Sequence, residues 1–124
     1  MADAAPAECV FCRIIAHEIP SAQVYEDADV YAFRDINPEA PIHVLIAPKR
    51  HIRDLAAADA EDGALLLALV RAANTIARQE GVAESGYRLV SNIGPDAGQS
   101  VFHLHLHLLG GRPMGLAAGA APES

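Results

Sequence analysis

The apolar and polar positions along the chain fall into short runs of two different periods. CVFCRIIAHE carries Val10, Phe11, Ile14 and Ile15 at helical spacing and predicts a short helix stopped at Pro20. AQVYE and VYAFRD flank the turn Asp27-Ala28-Asp29 and predict a β-hairpin. After the two-proline loop INPEAP, HVLIAPK is nearly all apolar, which predicts a buried strand ending at Pro48. Leu65, Leu66, Leu69, Val70, Ala73, Ile76 and Ala77 then form a long helical stripe. Asp59 is its expected N-cap, Glu61 and Asp62 lie in its first turn, and Gly81 marks its stop. YRLVSNI returns to strand character, and the loop GPDAGQS leads into a final apolar-alternating segment. Strands, a helix and strands again, joined by short connections, predict an α+β domain on a five-stranded antiparallel sheet with one long and one short helix. No internal repeat divides it, so residues 9–114 are expected to form one domain. Flexible ends are expected over residues 1–8 and the small, Gly/Ala-rich 115–124.

The final segment carries the chemistry. HLHLHLL, residues 103 to 109, holds three of the chain's six histidines at alternate positions. A two-residue step turns a helix by about 200° and would scatter the imidazoles, whereas a strand gathers them on one face. The spacing therefore predicts a strand with Leu104, Leu106 and Leu108 in the core and His103, His105 and His107 together on the other face. Imidazoles roughly 6–7 Å apart can take three separate roles around one small group. A solvated polar face is the plainer reading, but Thr, Lys and Glu fill such faces far more often than histidine. In the preceding loop, Gly94 and Gly98 permit positive-φ turns whose N–H groups converge on an anion, with Asn92 and Ser100 as neutral donors beside them.

Composition narrows the partners. The chain has 124 residues, 52% hydrophobic and 20% charged, as in an ordinary folded soluble domain. A net charge of −7 lacks the basic footprint of a nucleic-acid polymer binder, and KRHIR reads as a solvated loop. GALLLALVRAANTIA is interrupted by Arg71 and Asn74 and is too short to span a bilayer, so no membrane partner is expected. The opening MADAAPAECVF has neither a basic nor a hydrophobic signal region, which predicts a cytoplasmic protein. An anionic ligand would have to be held by local N–H groups and imidazoles.

QSVFHLHLHLLGG resembles the signature of the histidine-triad (HIT) superfamily, three histidines alternating with apolar residues. The likeness extends through FCRIIAHEIPSAQVYED, AFRDINPEAPIHVLIAPKRHI and YRLVSNIGPDAGQ, and the closing LLGGRPM is similar to the Hint branch, the histidine-triad nucleotide-binding phosphoramidases. The resemblance implies hydrolysis or transfer of a nucleoside monophosphate through a covalent nucleotidyl-histidine, with no metal required for catalysis. By motif position His105 is the nucleophile, and His107 and His43 donate to or orient the phosphate. Asn92, Gly98 and Ser100 hold the phosphate or meet the leaving group, Ser100 or His107 protonating the amine. Asp35 matches the family's ribose-binding position, and Val10, Phe11, Ile14, Ile19, Phe33 and Ile36 the base pocket. Without the family, each of these apolar residues is simply core. The implied ligand is a purine nucleotide or nucleoside phosphoramidate. Hint relatives pair to extend the sheet across two chains, so a homodimer is expected.

Two departures matter. The tryptophan that many Hint proteins carry near the C-terminus is absent, and RPMGLAAG contains none. Cys9 and Cys12, in CVFC, have metal-ligand spacing, and some relatives bind zinc with such a pair plus two histidines, here matching His51 and His103. Such a Cys₂His₂ set would be a structural zinc site with no position left for water. Ordinary buried thiols and a redox pair are the alternatives. Three other functions compete. One is a dinucleoside polyphosphate hydrolase, or another HIT nucleotidyl hydrolase or transferase, using the same nucleophile. The others are a metal enzyme with HxH ligands and a binding protein that retained only the fold.

Overall fold

The computed structural model describes residues 8–115. Five strands form a single antiparallel sheet: β1 (Gln23–Glu26), β2 (Val30–Arg34), β3 (Ile42–Pro48), β4 (Tyr87–Val90) and β5 (Leu106–Gly110), in the spatial order β1-β2-β3-β5-β4. A short helix α1 (Val10–Ile15) and a long helix α2 (Gly63–Gln79) complete the α+β fold. The expected flexible ends lie outside the described residues, except for Glu8 and Gly115.

The sheet separates two cores. Val30 and Ala32 of β2 and Val44 and Ile46 of β3 pack with Leu69, Ala73 and Ile76 of α2, together with Leu104 and Leu108. The alternate residues, Tyr31, Phe33, Leu45 and Ala47, belong to the second core with Phe11 and Ile14 of α1. Strands β2 and β3 are thus covered on both faces, which is why their sequences read as unbroken apolar runs rather than alternations.

Several local expectations are corrected. Helix α1 ends before Pro20: His17 takes a left-handed φ of 64°, and Glu18 N–H reaches back to Arg13 O at 2.8 Å. This is a left-handed C-terminal stop filled by a residue other than glycine. Asp59 caps the short 3₁₀ turn Ala60–Asp62 in a reciprocal box with Asp62, and α2 proper starts at Gly63. Arg50 also bonds to the Asp62 carboxylate. In the stripe, Ala72 is buried and Val70 is 42% exposed, because one step of a helix carries Val70 about 100° from Leu69. Gly81 closes the helix at φ 78°. The strand β4 ends at Val90, short of Asn92 and Ile93.

The largest correction concerns the histidine segment. Only residues from Leu106 onward are strand, so His103 and His105 precede it. The ladder between β3 and β5 runs from Ile42↔Gly110 to Ile46↔Leu106. Beyond it, Pro48 has no N–H to donate, its carbonyl bonds to the His103 ring at 2.8 Å, and Leu104 N–H turns to Ile52 O at 2.6 Å. Leu104, Leu106 and Leu108 still pack into the α2 core.

Ile76 is fully buried between α2 and the sheet. Ile76→Ala should destabilise the fold by about 2–5 kcal/mol and Ile76→Val by about 0.5–1.5 kcal/mol. Denaturant unfolding measures both, and equal small losses would contradict this packing.

Candidate active site

The α1 face of the sheet carries the site. His43 sits near the start of β3, with Leu45 and Ala47 following on the same face, and His107 of β5 lies across from Leu45. Asp35 follows β2 and its N–H donates to His43 O at 3.1 Å. Phe11 of α1 sets its edge against Phe33 at 5.3 Å between ring centroids and against His105 at 4.9 Å. The rings of His105 and His107 are 5.1 Å apart, closer than ideal strand spacing because His105 lies outside the strand.

Hydrogen bonds assign the protons. Glu39 N–H donates to His43 Nδ1 at 3.0 Å, so the one proton of a neutral His43 is on Nε2. That nitrogen donates to His107 Nδ1 at 2.9 Å, which leaves the proton of His107 on its own Nε2. His107 Nε2 is buried and has no hydrogen-bond partner among the described residues. His105 has the opposite arrangement. Its Nδ1–H donates to His103 O at 2.7 Å, so Nε2 carries the free lone pair. Two adjacent imidazoles therefore offer a bare nitrogen and an N–H donor.

Burial keeps these rings neutral. It lowers the pKa of His43 and of His105 from the ordinary imidazole value, against the pull of Asp35 and, for His105, of the His103 carbonyl. His107 is pushed down to about 4, by burial first and then by the neighbouring His105 and His43 imidazoles.

A second cluster lies beside the first. Cys9 and Cys12 at the start of α1 face His51 and His103, with ligand atoms all within 4.8 Å of one another. His103 Nε2–H is committed to Pro48 O at 2.8 Å, so its Nδ1 lone pair points at Cys9 Sγ at 3.4 Å and Cys12 Sγ at 3.5 Å. His51 Nδ1 stands 3.4 Å from Cys12 Sγ. Burial, followed by the hydrogen bond and charge of Cys9, pushes the Cys12 thiol up to about 12. A metal here must displace thiol protons, and two sulfurs with two imidazole nitrogens suit tetrahedral zinc.

Asp35, His43 and His107 also bring ligand atoms within 4.8 Å of one another. They fit a metal poorly. Ligation through His43 Nε2 would move its proton to Nδ1, where it would face the Glu39 N–H donor.

The HIT domain family model matches residues 16–114. The chain belongs to the HIT family. It is 50% identical over 108 residues to the purine nucleoside phosphoramidase of Escherichia coli K12, covering 87% of this chain and 91% of that one. It is 51% identical over 114 residues to the 14 kDa zinc-binding protein of Zea mays, covering 89% of this chain and 87% of the other. A HIT family hydrolase from Legionella pneumophila Philadelphia 1 superposes with a TM-score of 0.87 at 48% identity, covering 90% of this chain and 99% of that structure. This HIT protein is an enzyme of the hydrolase class, and no described helix is long and apolar enough to cross a membrane.

The structure brings His43, His105, His107 and Asp35 together and separates His103 into the cysteine cluster. Phe11, Ile14 and Phe33 are buried in the α1-side core, Asn92 is half-buried and Ser100 is exposed. Ile36, beside Asp35, is 91% exposed and belongs to neither core. Gly98 adopts φ 93°, but its N–H is spent on Pro95 O at 3.0 Å, so it shapes the HIT-motif loop without offering that donor. Two contributors escaped the sequence reading. Glu39 fixes the His43 tautomer through its backbone N–H, which leaves no side-chain signal, and its carboxylate adds to the pull of Asp35 on that ring. Gln99 is buried; its Oε1 accepts Gly94 N–H at 2.7 Å and its Nε2 donates to Arg53 O at 2.9 Å. A polar residue between Gly98 and Ser100 was the available signal.

His107 has its folded pKa depressed to about 4, below the ordinary value of about 6.5. Its contribution to stability is therefore complete above about pH 6.5 and is lost as pH falls toward 4. NMR titration should find its ring neutral at about pH 5.5; protonation with an ordinary midpoint would contradict this burial.

Proposed function

We propose that this HIT protein hydrolyses the P–N bond of purine nucleoside 5′-phosphoramidates through a nucleotidyl group carried on His105. The observation that carries this reading is the pair of opposite tautomers, bare His105 Nε2 beside His107 Nε2–H. The name of the E. coli relative, purine nucleoside phosphoramidase, supports the substrate class.

In this mechanism the His105 Nε2 lone pair attacks phosphorus and the bond to the departing amine breaks, its electron pair passing to nitrogen. The amine takes a proton through Ser100 or His107, replaced from water. The cationic adduct keeps its Nδ1–H on the His103 carbonyl. Water then attacks phosphorus, the bond to His105 breaks, and its electron pair returns to Nε2. His107 Nε2–H, together with Asn92 and Ser100 flanking the loop that Gly98 shapes, stabilises the charge on the non-bridging oxygens. Neutral rings near pH 7 suit both roles.

At the nucleoside end, Asp35 accepts from the ribose hydroxyls. Phe11, Ile14, Phe33 and Ile36 form the apolar side on which the base lies, and an isoleucine as exposed as Ile36 suits a surface that a ligand covers. Cys9, Cys12, His51 and His103 hold a structural zinc that supplies a cross-link between α1 and the segment before β5. The zinc-binding name of the maize relative supports this assignment. A thiol pair kept for metal persists in a reducing compartment, in line with a cytoplasmic protein. The chain pairs with a second copy through β4, an edge strand. Leu89 on it and Leu67 and Val70 on α2 are exposed, and a symmetric pairing would cover them.

His105→Ala should lower kcat by several orders of magnitude while nucleotide binding largely survives. Ser100→Ala should cost about 10²-fold, mostly with poor leaving groups. Rapid quenching with labelled adenosine phosphoramidate should place the adduct on His105. An adduct on His103 or His107, or a His105→Ala enzyme within about tenfold of the parent, would refute the assignment.

Elemental analysis of protein purified without chelator should find about one zinc per chain. Less than about a tenth of an equivalent, with both thiols titrating freely, would leave Cys9 and Cys12 as ordinary cysteines.

A further inference from the structure

Asp35 is tied into the site more closely than sugar binding alone requires. Its Oδ1 accepts Asn37 N–H at 2.8 Å, and its Oδ2 stands 3.4 Å from His43 Nε2. The Asp35 side chain is 11% exposed and that of His43 is 1% exposed, so water competes little for these atoms. His43 Nε2 has a single proton, because Glu39 N–H occupies Nδ1. His107 Nδ1 accepts that proton at 2.9 Å, and the charged Asp35 carboxylate stands beside it, its Oδ2 3.4 Å from the same nitrogen.

We propose that Asp35 couples sugar recognition to the chemical step through its charge, which pulls on the His43 N–H in the free site and pulls less when ribose hydroxyls occupy the carboxylate. The inference rests on the phosphoramidase reading above and deepens it, making Asp35 a positioning residue that acts through His43. The chemistry is a change in the electrostatic pull on one existing hydrogen bond, with no proton transfer. Hydroxyls donating to Asp35 offset part of its charge and weaken it as an acceptor. The existing His43 N–H bond to His107 Nδ1 then strengthens. Donation at one nitrogen of an imidazole withdraws density from the ring, so His107 Nε2–H becomes the stronger donor toward phosphate and leaving group. Asp35 also holds up the proton affinity of both His43 and His107, an influence that bound hydroxyls would reduce. A substrate lacking the diol would bind and yet meet a poorer donor.

The test compares adenosine 5′-phosphoramidate with its 2′,3′-dideoxy analogue on the full chain, in steady state and single turnover. Loss of the diol should raise KM and also lower the saturated cleavage rate by about tenfold. In Asp35→Asn, the ratio of the two saturated rates should fall below about two, because the charged acceptor is gone. A diol effect confined to KM, or the same rate ratio in both proteins, would overturn the coupling. A second measurement needs no turnover. In protein labelled with ¹⁵N at histidine, adenosine should shift His43 Nε2 and His107 Nδ1, and 2′,3′-dideoxyadenosine should leave them near their free positions. Equal shifts with both nucleosides, or none with adenosine, would also overturn it. Failure to cleave either phosphoramidate, alongside a shift with adenosine alone, would reject the phosphoramidase reading and leave the coupling standing.

Discussion

Strand β3 is paired on both edges and covered on both faces, and the organisation of this molecule depends on that constraint. Its N–H and C=O groups are taken by β2 and β5, so a shift in register would break two ladders together. Val44 and Ile46 face the α2 core while Leu45 and Ala47 face the α1 core. A slip by one residue would exchange those faces and drive His43 into packed hydrocarbon. His43 therefore has a fixed position, and the residues that meet it acquire fixed positions in turn.

A second constraint acts inside the site. A neutral imidazole has one proton for two nitrogens, so whatever occupies one nitrogen determines the chemistry of the other. Here the determining groups are backbone atoms: Glu39 N–H for His43, His103 O for His105 and Pro48 O for His103. Backbone groups held by neighbouring structure do not reorient as a side chain does, and the tautomers persist without a dedicated partner residue. The same rule separates the two histidine-rich clusters. It turns a lone pair of His103 toward two thiols and denies the metal-facing lone pair to His43.

These two clusters share His103. Its ring belongs to the cysteine set, and its carbonyl holds the His105 ring. Phe11 lies on the helix that Cys9 caps and that carries Cys12, and it touches the rings of His103 and His105. One short segment of chain thus lies in both environments, with the His103 ring in the cysteine cluster and the His105 and His107 rings beside His43.

Much of this was legible in the residue pattern. Unbroken apolar runs, alternations and a 3.6-residue stripe locate five strands and two helices, because burial of both faces, one face or a stripe leaves a direct mark on composition. Alternation of leucine with histidine correctly sends Leu104, Leu106 and Leu108 to the core, since their burial requires it whether or not the backbone is in a ladder. The chain-wide motif identifies the family and points to the histidines and Asp35. Tertiary structure decided the rest. Whether His103 and His105 lie in a strand depends on Pro48 and on the Ile52 carbonyl, both far away in sequence. Val70 and Ala72 trade places because the stripe's centre is set by how α2 rests on the sheet. Glu39 fixes the His43 proton with a backbone N–H, which every residue except proline could supply, and no pattern of side chains records it. The sequence by itself determined which residues must be buried and which chemical groups are available. Only the folded chain decided which nitrogen of each imidazole bears the proton, because that depends on donors and acceptors brought together across dozens of residues.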